Sequence, residues 1–239
     1  MVVYTVRQRR DAILSPDFDA RRGDLVAAPR VGVLALQGDF REHRAVLEGL
    51  GAVTCEVRHV DDLRLVDGLV IPGGESTVIG KLMQEYGFVD GIRDFAAAGG
   101  PVYGSCAGLI IMARAIVEGD QPLLGLMDVV ARRNAFGRQV RSFEVDVDVP
   151  VLGPPKVRAV FIRAPWIEES GAGVEVLASV SGHAVAARQG RLLTTAFHPE
   201  LSGETRVHAF FLELVAEHRC ERDDDERSRS WVARGQVVS

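Results

Sequence analysis

The sequence predicts an α/β fold in which a mostly parallel central sheet is flanked by helices, with an additional antiparallel portion in the second half. Three observations predict it. Between residues 31 and 218, short runs rich in Val, Ile and Leu alternate with segments of helical period, the pattern of a sheet covered on both faces. Glycine-bearing breaks fall directly after several of these runs, where strands end. The 239-residue chain is long enough to bury one large core without a metal or disulfide staple.

The elements follow in order. Residues 31–36 read as a first buried strand, then a loop at Gln37, Gly38 and Asp39, then a helix over 41–50 that Gly51 can terminate. A second strand covers 53–57 and a third 69–71, which runs into Pro72, Gly73 and Gly74. Helices are predicted over 76–86 and 88–98. A strand at 101–104 then leads into Cys106 and an apolar helix over 107–115. The second half reads as strands at 127–131, 143–149, 157–162, 174–180, 183–188 and 192–197, with turns at Gly182 and Gly190 that suit antiparallel hairpins. A helix over 203–217 closes the domain.

The two ends differ in composition from this domain. Residues 1–30 form an N-terminal arm whose order the sequence leaves open. Residues 219–239 combine clustered charge with few apolar side chains and read as a solvated, disordered tail. With 47% hydrophobic and 26% charged residues and a net charge of -5, the chain is not collagenous, fibrous or wholly disordered. Both signs of charge are dispersed, which argues against nucleic acid or an acidic membrane surface as partner and for a small substrate. No uncharged apolar run reaches the roughly 18 residues of a membrane span, and the N-terminus lacks a secretory apolar core, so a cytoplasmic location is the default. Cys55, Cys106 and Cys220 are odd in number and widely spaced, and signal neither a disulfide framework nor a zinc cluster. No metal site is expected.

The chemistry concentrates at three strand ends. Gly104-Ser105-Cys106-Ala107-Gly108 is a GxCxG between a strand and a helix, the cysteine counterpart of a nucleophile elbow. Its glycines permit a tight turn that projects Cys106 from the sheet, and the helix N-terminus favours a thiolate. A thiolate nucleophile needs a base and a proton donor for the leaving group. Of six histidines, His198 follows a strand directly, where open α/β sheets assemble their sites, and Glu200 two positions on suits the role of ring orienter. Gly74 and Glu75 lie in Pro72-Gly73-Gly74-Glu75-Ser76, again just after a strand. Backbone N–H groups of Gly74 and Ala107 would form an oxyanion hole, worth about 3 kcal/mol per donor. A phosphate loop there fails on spacing, because Gly80-Lys81 would need a glycine at position 75 and Ser or Thr at 82, where the chain has Glu75 and Leu82.

In this order the motifs resemble the triad glutaminases, the class I glutamine amidotransferases with a flavodoxin-like three-layer fold, and within them the glutaminase subunits of pyridoxal 5'-phosphate synthases. The likeness rests on LALQGDFREH at 34–43, PGGEST at 72–77, GSCAGLI at 104–110, RRNAFGRQ at 132–139, FIRAP at 161–165 and FHPEL at 197–201. It spans residues 31–218. The resemblance implies that Cys106 attacks the side-chain amide of L-glutamine, with His198 as acid and base and Glu200 as its orienter. It further implies that Gly74, Glu75, Ser76, Arg133, Ile162 and Arg163 bind glutamine and that Gln37 lies at the interface with a synthase subunit, the ammonia acceptor. No cofactor is implied. Two other functions share these motifs in whole or part: a class I amidotransferase feeding a different acceptor, and a noncatalytic glutamine-sensing module. LQGDFREH and RRNAFGRQ favour the vitamin B6 branch, and the intact Cys106, His198 and Glu200 oppose a noncatalytic role.

Overall fold

The computed structural model describes residues 27–136 and 142–235, with side chains through 224. The arm over 1–26, positions 137–139 of the RRNAFGRQ motif and the tail residues 236–239 lie outside the described residues. The parallel core consists of β1 (Arg30–Leu34), β2 (Val53–Val57), β3 (Gly68–Ile71), β4 (Val102–Ser105) and β12 (Leu192–Thr195). These strands lie in the spatial order β2-β1-β3-β4-β12, all parallel. Every residue of β3 and of β4 is buried, which is why their sequences are short and lack polar alternation.

Beyond β12 the sheet becomes mixed. It continues through β11 (His183–Gln189), β9 (Trp166–Ser170), β6 (Met127–Arg132) and β5 (Ala113–Ile116), with β10 (Glu175–Val180) paired antiparallel to β11. A separate antiparallel pair joins β7 (Ser142–Val147) to β8 (Val157–Ile162). Strands β6 and β8 alternate between buried and more open positions, as half-covered strands do. The helices are α1 (Phe40–Gly49), α2 (Ser76–Glu85), α3 (Phe88–Ala97), α4 (Ala107–Met112) and α5 (Arg206–Gly235). Helices α1 and α5 touch each other, whereas α2 packs against both α3 and α4, and the two groups flank the sheet.

Three expectations need correction. The apolar run predicted as a helix over 107–115 is helical only through Met112; Ala113 turns to an extended backbone and opens β5, which pairs with β6. The run AGLIIMARAIV contains no breaker, and a short buried helix and a buried strand share the same composition. Strand β9 is absent from the predicted set because WIEES carries two carboxylates; Glu168 is held by Arg132 and the Trp166 indole, so its charge is matched within the strand pair. Helix α5 does not end near 217 and continues to Gly235, where charge clustering predicts a solvated tail. Its extension is tied back to the domain by pairs between Arg191 and Glu221 and from Arg219 and Arg222 to Asp67.

Candidate active site

Cys106 stands at the junction of β4 and α4 with φ 48° and ψ -97°, a left-handed backbone conformation that non-glycine residues rarely adopt. The surroundings enforce it. Its N–H donates to the Thr195 carbonyl at 2.7 Å, locking the turn to the end of β12. The flanking glycines have no alternative: a Cβ on Gly104 would come within 2.6 Å of the Gly108 carbonyl carbon, and one on Gly108 within 2.3 Å of the Ile71 oxygen. Cys106 is 7% exposed, and its Sγ lies 3.9 Å from the Ile162 carbonyl oxygen. The thiol is thus reachable but largely screened from bulk water.

His198 follows β12 by three residues, and its backbone N–H donates to Val160 of β8 at 2.9 Å. A single 3-10 turn over Pro199–Leu201 brings Glu200 back under the ring. Nδ1 of His198 lies 2.7 Å from Oε1 of Glu200, whose side chain is fully buried. With Nδ1–H donated to the carboxylate, Nε2 is left to accept a proton from the thiol. Burial alone would lower the imidazole; the hydrogen bonds and charges of Cys106 and Glu200 outweigh it and raise His198 to about 10. Burial alone would likewise raise the Glu200 carboxyl. His43 and His198 outweigh that penalty and hold it well below the usual carboxylate range. The arrangement favours an imidazolium braced by a carboxylate beside the thiol.

The PGGES segment lies against this pair. A Cβ on Gly73 would approach Cε1 of His198 to 2.3 Å, so the loop backbone packs directly on the ring. The Gly73 carbonyl accepts the Asp39 N–H at 3.1 Å, and Gln37 Oε1 accepts the Glu75 N–H at 2.8 Å. Gly74 sits between these two ties, and Gln37 thereby holds the segment it adjoins. Ser76 donates to Gln121 at 3.1 Å rather than capping α2. Arg133 is not a free surface charge: its Nη2 lies 3.2 Å from Glu75 Oε1. Ala107 opens α4, where its N–H has no intrahelical acceptor. Arg163 follows Ile162 at φ 45°, turning the chain just after the carbonyl that faces Cys106.

The structure therefore brings Cys106, His198 and Glu200 together, sets Ile162 against the thiol, and joins Gln37, Glu75 and Arg133 beside them. Asp39 belongs to the same cluster and sequence reasoning passed over it. Its Oδ2 is 3.6 Å from His198 Nδ1, and burial raises its carboxyl against the pull of that ring. The oxygens of Asp39 and Glu200 and a ring nitrogen of His198 come within 4.8 Å of one another, but Nδ1 is already committed to Glu200. A cleft of about 360 Å³ lined by Gln84, Gly87, Val89, Asp90, Pro122 and Leu123 offers one carboxylate and no nucleophile, so it does not compete as a catalytic site.

Comparison with known proteins agrees with this geometry. The profile of the SNO glutamine amidotransferase family matches residues 33–217. Pyridoxal 5'-phosphate synthase subunit PdxT of Frankia alni is 57% identical over 192 residues, covering 80% of this chain and 96% of that protein. The subunit of the same name from Moorella thermoacetica is 54% identical over 186 residues, covering 78% and 99%. Among solved structures, a crystal structure of a glutamine amidotransferase superposes with a TM-score of 0.74 at 49% identity, covering 78% of this chain and 98% of that one. The structure of PurLQS from Thermotoga maritima, at 18% identity and a TM-score of 0.57, shares the fold. With a family match across most of its length and relatives above half identity, the chain belongs to the SNO glutamine amidotransferase family.

Proposed function

We propose that this chain is the glutaminase subunit of a pyridoxal 5'-phosphate synthase, hydrolysing L-glutamine to L-glutamate and ammonia and passing the ammonia to a synthase subunit. The observation that carries it is the buried 2.7 Å bond between His198 and Glu200, next to a thiol held at a strained elbow. His198 takes the Cys106 proton, and the sulfur attacks the side-chain amide carbon of glutamine. Backbone N–H groups of Gly74 and Ala107 receive the oxyanion. His198 then returns its proton to the departing nitrogen, ammonia leaves, and a glutamyl thioester remains. Water, deprotonated by the same ring, attacks the thioester; glutamate departs and the thiol is restored.

Substrate recognition is assigned to Glu75, Ser76, Arg133, Ile162 and Arg163. A guanidinium suits the α-carboxylate, and carbonyl or acidic groups suit the α-ammonium. Arg133 and Glu75 already pair, so glutamine would enter between partners of opposite sign. The Gln37 loop is the proposed contact with the synthase. Because Gln37 holds the Glu75 N–H, docking there acts on the oxyanion segment through one hydrogen bond. All groups that the reaction uses are side chains or backbone of this chain, so no cofactor enters the mechanism. Among the described residues, the three cysteines are free and no helix is long and apolar enough to cross a membrane. A catalytic thiol works in a reducing compartment, which supports a cytoplasmic site of action.

The test is Cys106→Ala assayed with the synthase present. The variant is expected to fold and bind glutamine but to release no ammonia. Turnover at the wild-type rate would remove Cys106 from the mechanism.

A further inference from the structure

Behind Glu200, on the side away from His198, two fully buried histidines form a line that the proposed reaction does not use. His43 projects from α1 and His208 from α5, and neither is exposed. Nδ1 of His43 lies 2.9 Å from Nε2 of His208. The other His43 nitrogen, Nε2, lies 2.9 Å from Ser105 Oγ and 3.4 Å from Glu200 Oε1. Tyr103 meets both rings edge-on and fixes their planes, with centroids 5.9 and 5.7 Å away.

The protons on this line can be assigned. Burial, reinforced by the neighbouring His43, lowers His208 to about 3, so the ring is neutral and carries one N–H. Its Nδ1 is buried without a hydrogen-bond partner. A stranded N–H is costly in a buried site, and the proton is better used where an acceptor waits, on Nε2 facing His43. His43 Nδ1 is then the acceptor, which puts the His43 proton on Nε2, facing Ser105 Oγ at 2.9 Å with Glu200 Oε1 beside it at 3.4 Å. That oxygen also accepts from His198, whereas Glu200 Oε2 has no partner among the described residues. One oxygen of the carboxylate therefore lies between two imidazoles, bonded to His198 at 2.7 Å and approached by His43 at 3.4 Å.

We infer that His43, its tautomer set by His208, is a positioning residue for the reaction: its Nε2–H, bonded to Ser105 and set against Glu200 Oε1, keeps Glu200 aligned so that Glu200 can hold His198. The inference rests on the reading of Cys106, His198 and Glu200 as the catalytic set. The groups facing the Glu200 carboxylate are His43, His198, Asp39, Tyr103 and, one step further, His208.

Two measurements test it, and the first needs neither a variant nor any assumed activity. In protein labelled with nitrogen-15, two-bond proton–nitrogen correlations should show both His43 and His208 as Nε2–H tautomers. An Nδ1–H tautomer on either ring overturns the inference. The second is kinetic, with the synthase present. His43→Leu should lower kcat about 10- to 100-fold with little change in KM, as small misalignments of catalytic groups do. His43→Gln places an amide N–H near the same point and should recover most of the loss. An unchanged kcat in His43→Leu, a loss carried by KM instead of kcat, or no recovery in His43→Gln, overturns it. Failure of Cys106→Ala to abolish ammonia release would instead strike the catalytic reading and leave the tautomers as they are.

Discussion

Replacing Gly73 with alanine should cripple catalysis without unfolding the protein. A Cβ at this position would stand 2.3 Å from Cε1 and 2.9 Å from Nδ1 of His198, with Asp39 Oδ2 at 3.2 Å. An ordinary contact begins about 1 Å farther out, so the ring or the loop must give way by roughly that amount. The ring is the softer partner. The loop backbone is tied at Gly73 to the Asp39 N–H and at Glu75 to Gln37, whereas the ring is held at Nδ1 by Glu200. A displacement of about 1 Å at a catalytic group costs on the order of 100-fold in rate, or about 3 kcal/mol in the activation barrier. The assay is ammonia release with the synthase present, alongside thermal unfolding. Unfolding should change little, since the new methyl group meets the side chains of His198 and Asp39 at the edge of the site. Turnover within about threefold of wild type would show that the loop does not press on the ring as the distances require.

Two further predictions concern stability. His208 is neutral when folded and falls to about 3, while an unfolded histidine binds its proton near 6.5; the unfolded state therefore binds more protons below pH 6.5, and stability drops as pH falls from there toward 3. At pH 5 this amounts to about 2 kcal/mol. His198 runs the other way: its folded value is raised to about 10, so its contribution is complete below 6.5 and fades as pH rises through 10. Wild-type protein alone would mask the first effect, so the readout is the difference between wild type and His208→Gln in denaturant unfolding at pH 7.5 and pH 5, expected to shift by about 2 kcal/mol. Equal pH slopes for the two proteins would show that His208 is not buried neutral. Gly108→Ala inverts the usual helix preference: propensity favours alanine by about 1 kcal/mol, but the added Cβ would lie 2.3 Å from the Ile71 backbone oxygen and cost about 1–3 kcal/mol net. Gly49→Ala, with nothing within 4 Å, is the matched control and should be neutral or slightly stabilising in the same thermal melt.

The parts of this molecule that the sequence makes legible are those where a single environment acts on a run of residues. Strands β3 and β4 are buried throughout, so their composition alone marks them. Glycines in GSCAG and PGGES are legible for a different reason: each lies where its backbone meets another backbone segment, the His198 ring or the Gln37 side chain too closely for a Cβ. Legibility fails where neighbours supply the compensation. The two glutamates of β9 look wrong for a strand until Arg132 is placed beside Glu168. The charged residues after His218 look like tail until Asp67 and Arg191 are seen to receive them. His43 occupies an in-between position. It shares the buried face of α1 with Leu47, one turn on, and a histidine at an apolar helical position is a visible signal. Its partners lie 62 and 165 residues away, which local pattern does not reach.

The antiparallel portion of the fold has a specific part in placing the site. Strands β4 and β12 are parallel neighbours in register, Thr195 opposite Ser105, so the residues that leave their ends start side by side. That alone sets the nucleophile beside the segment carrying the base. Tyr103 and Thr195 reinforce it with a 2.9 Å hydroxyl contact, and Thr195 donates onward to Phe197. The end of β12 is thereby fixed from within the main sheet, but His198 lies beyond it. Its backbone is caught by Val160 of β8, the same strand whose Ile162 carbonyl faces the Cys106 sulfur. One strand of the small second sheet therefore gauges both Cys106 and His198, and two positions along β8 separate the contact with one from the contact with the other. Because residues two apart in a strand point their backbone groups to the same side, a register slip in the β7–β8 pair by one residue would release both contacts at once. The site is assembled from the adjacency of two parallel strands and corrected by a third that does not belong to their sheet.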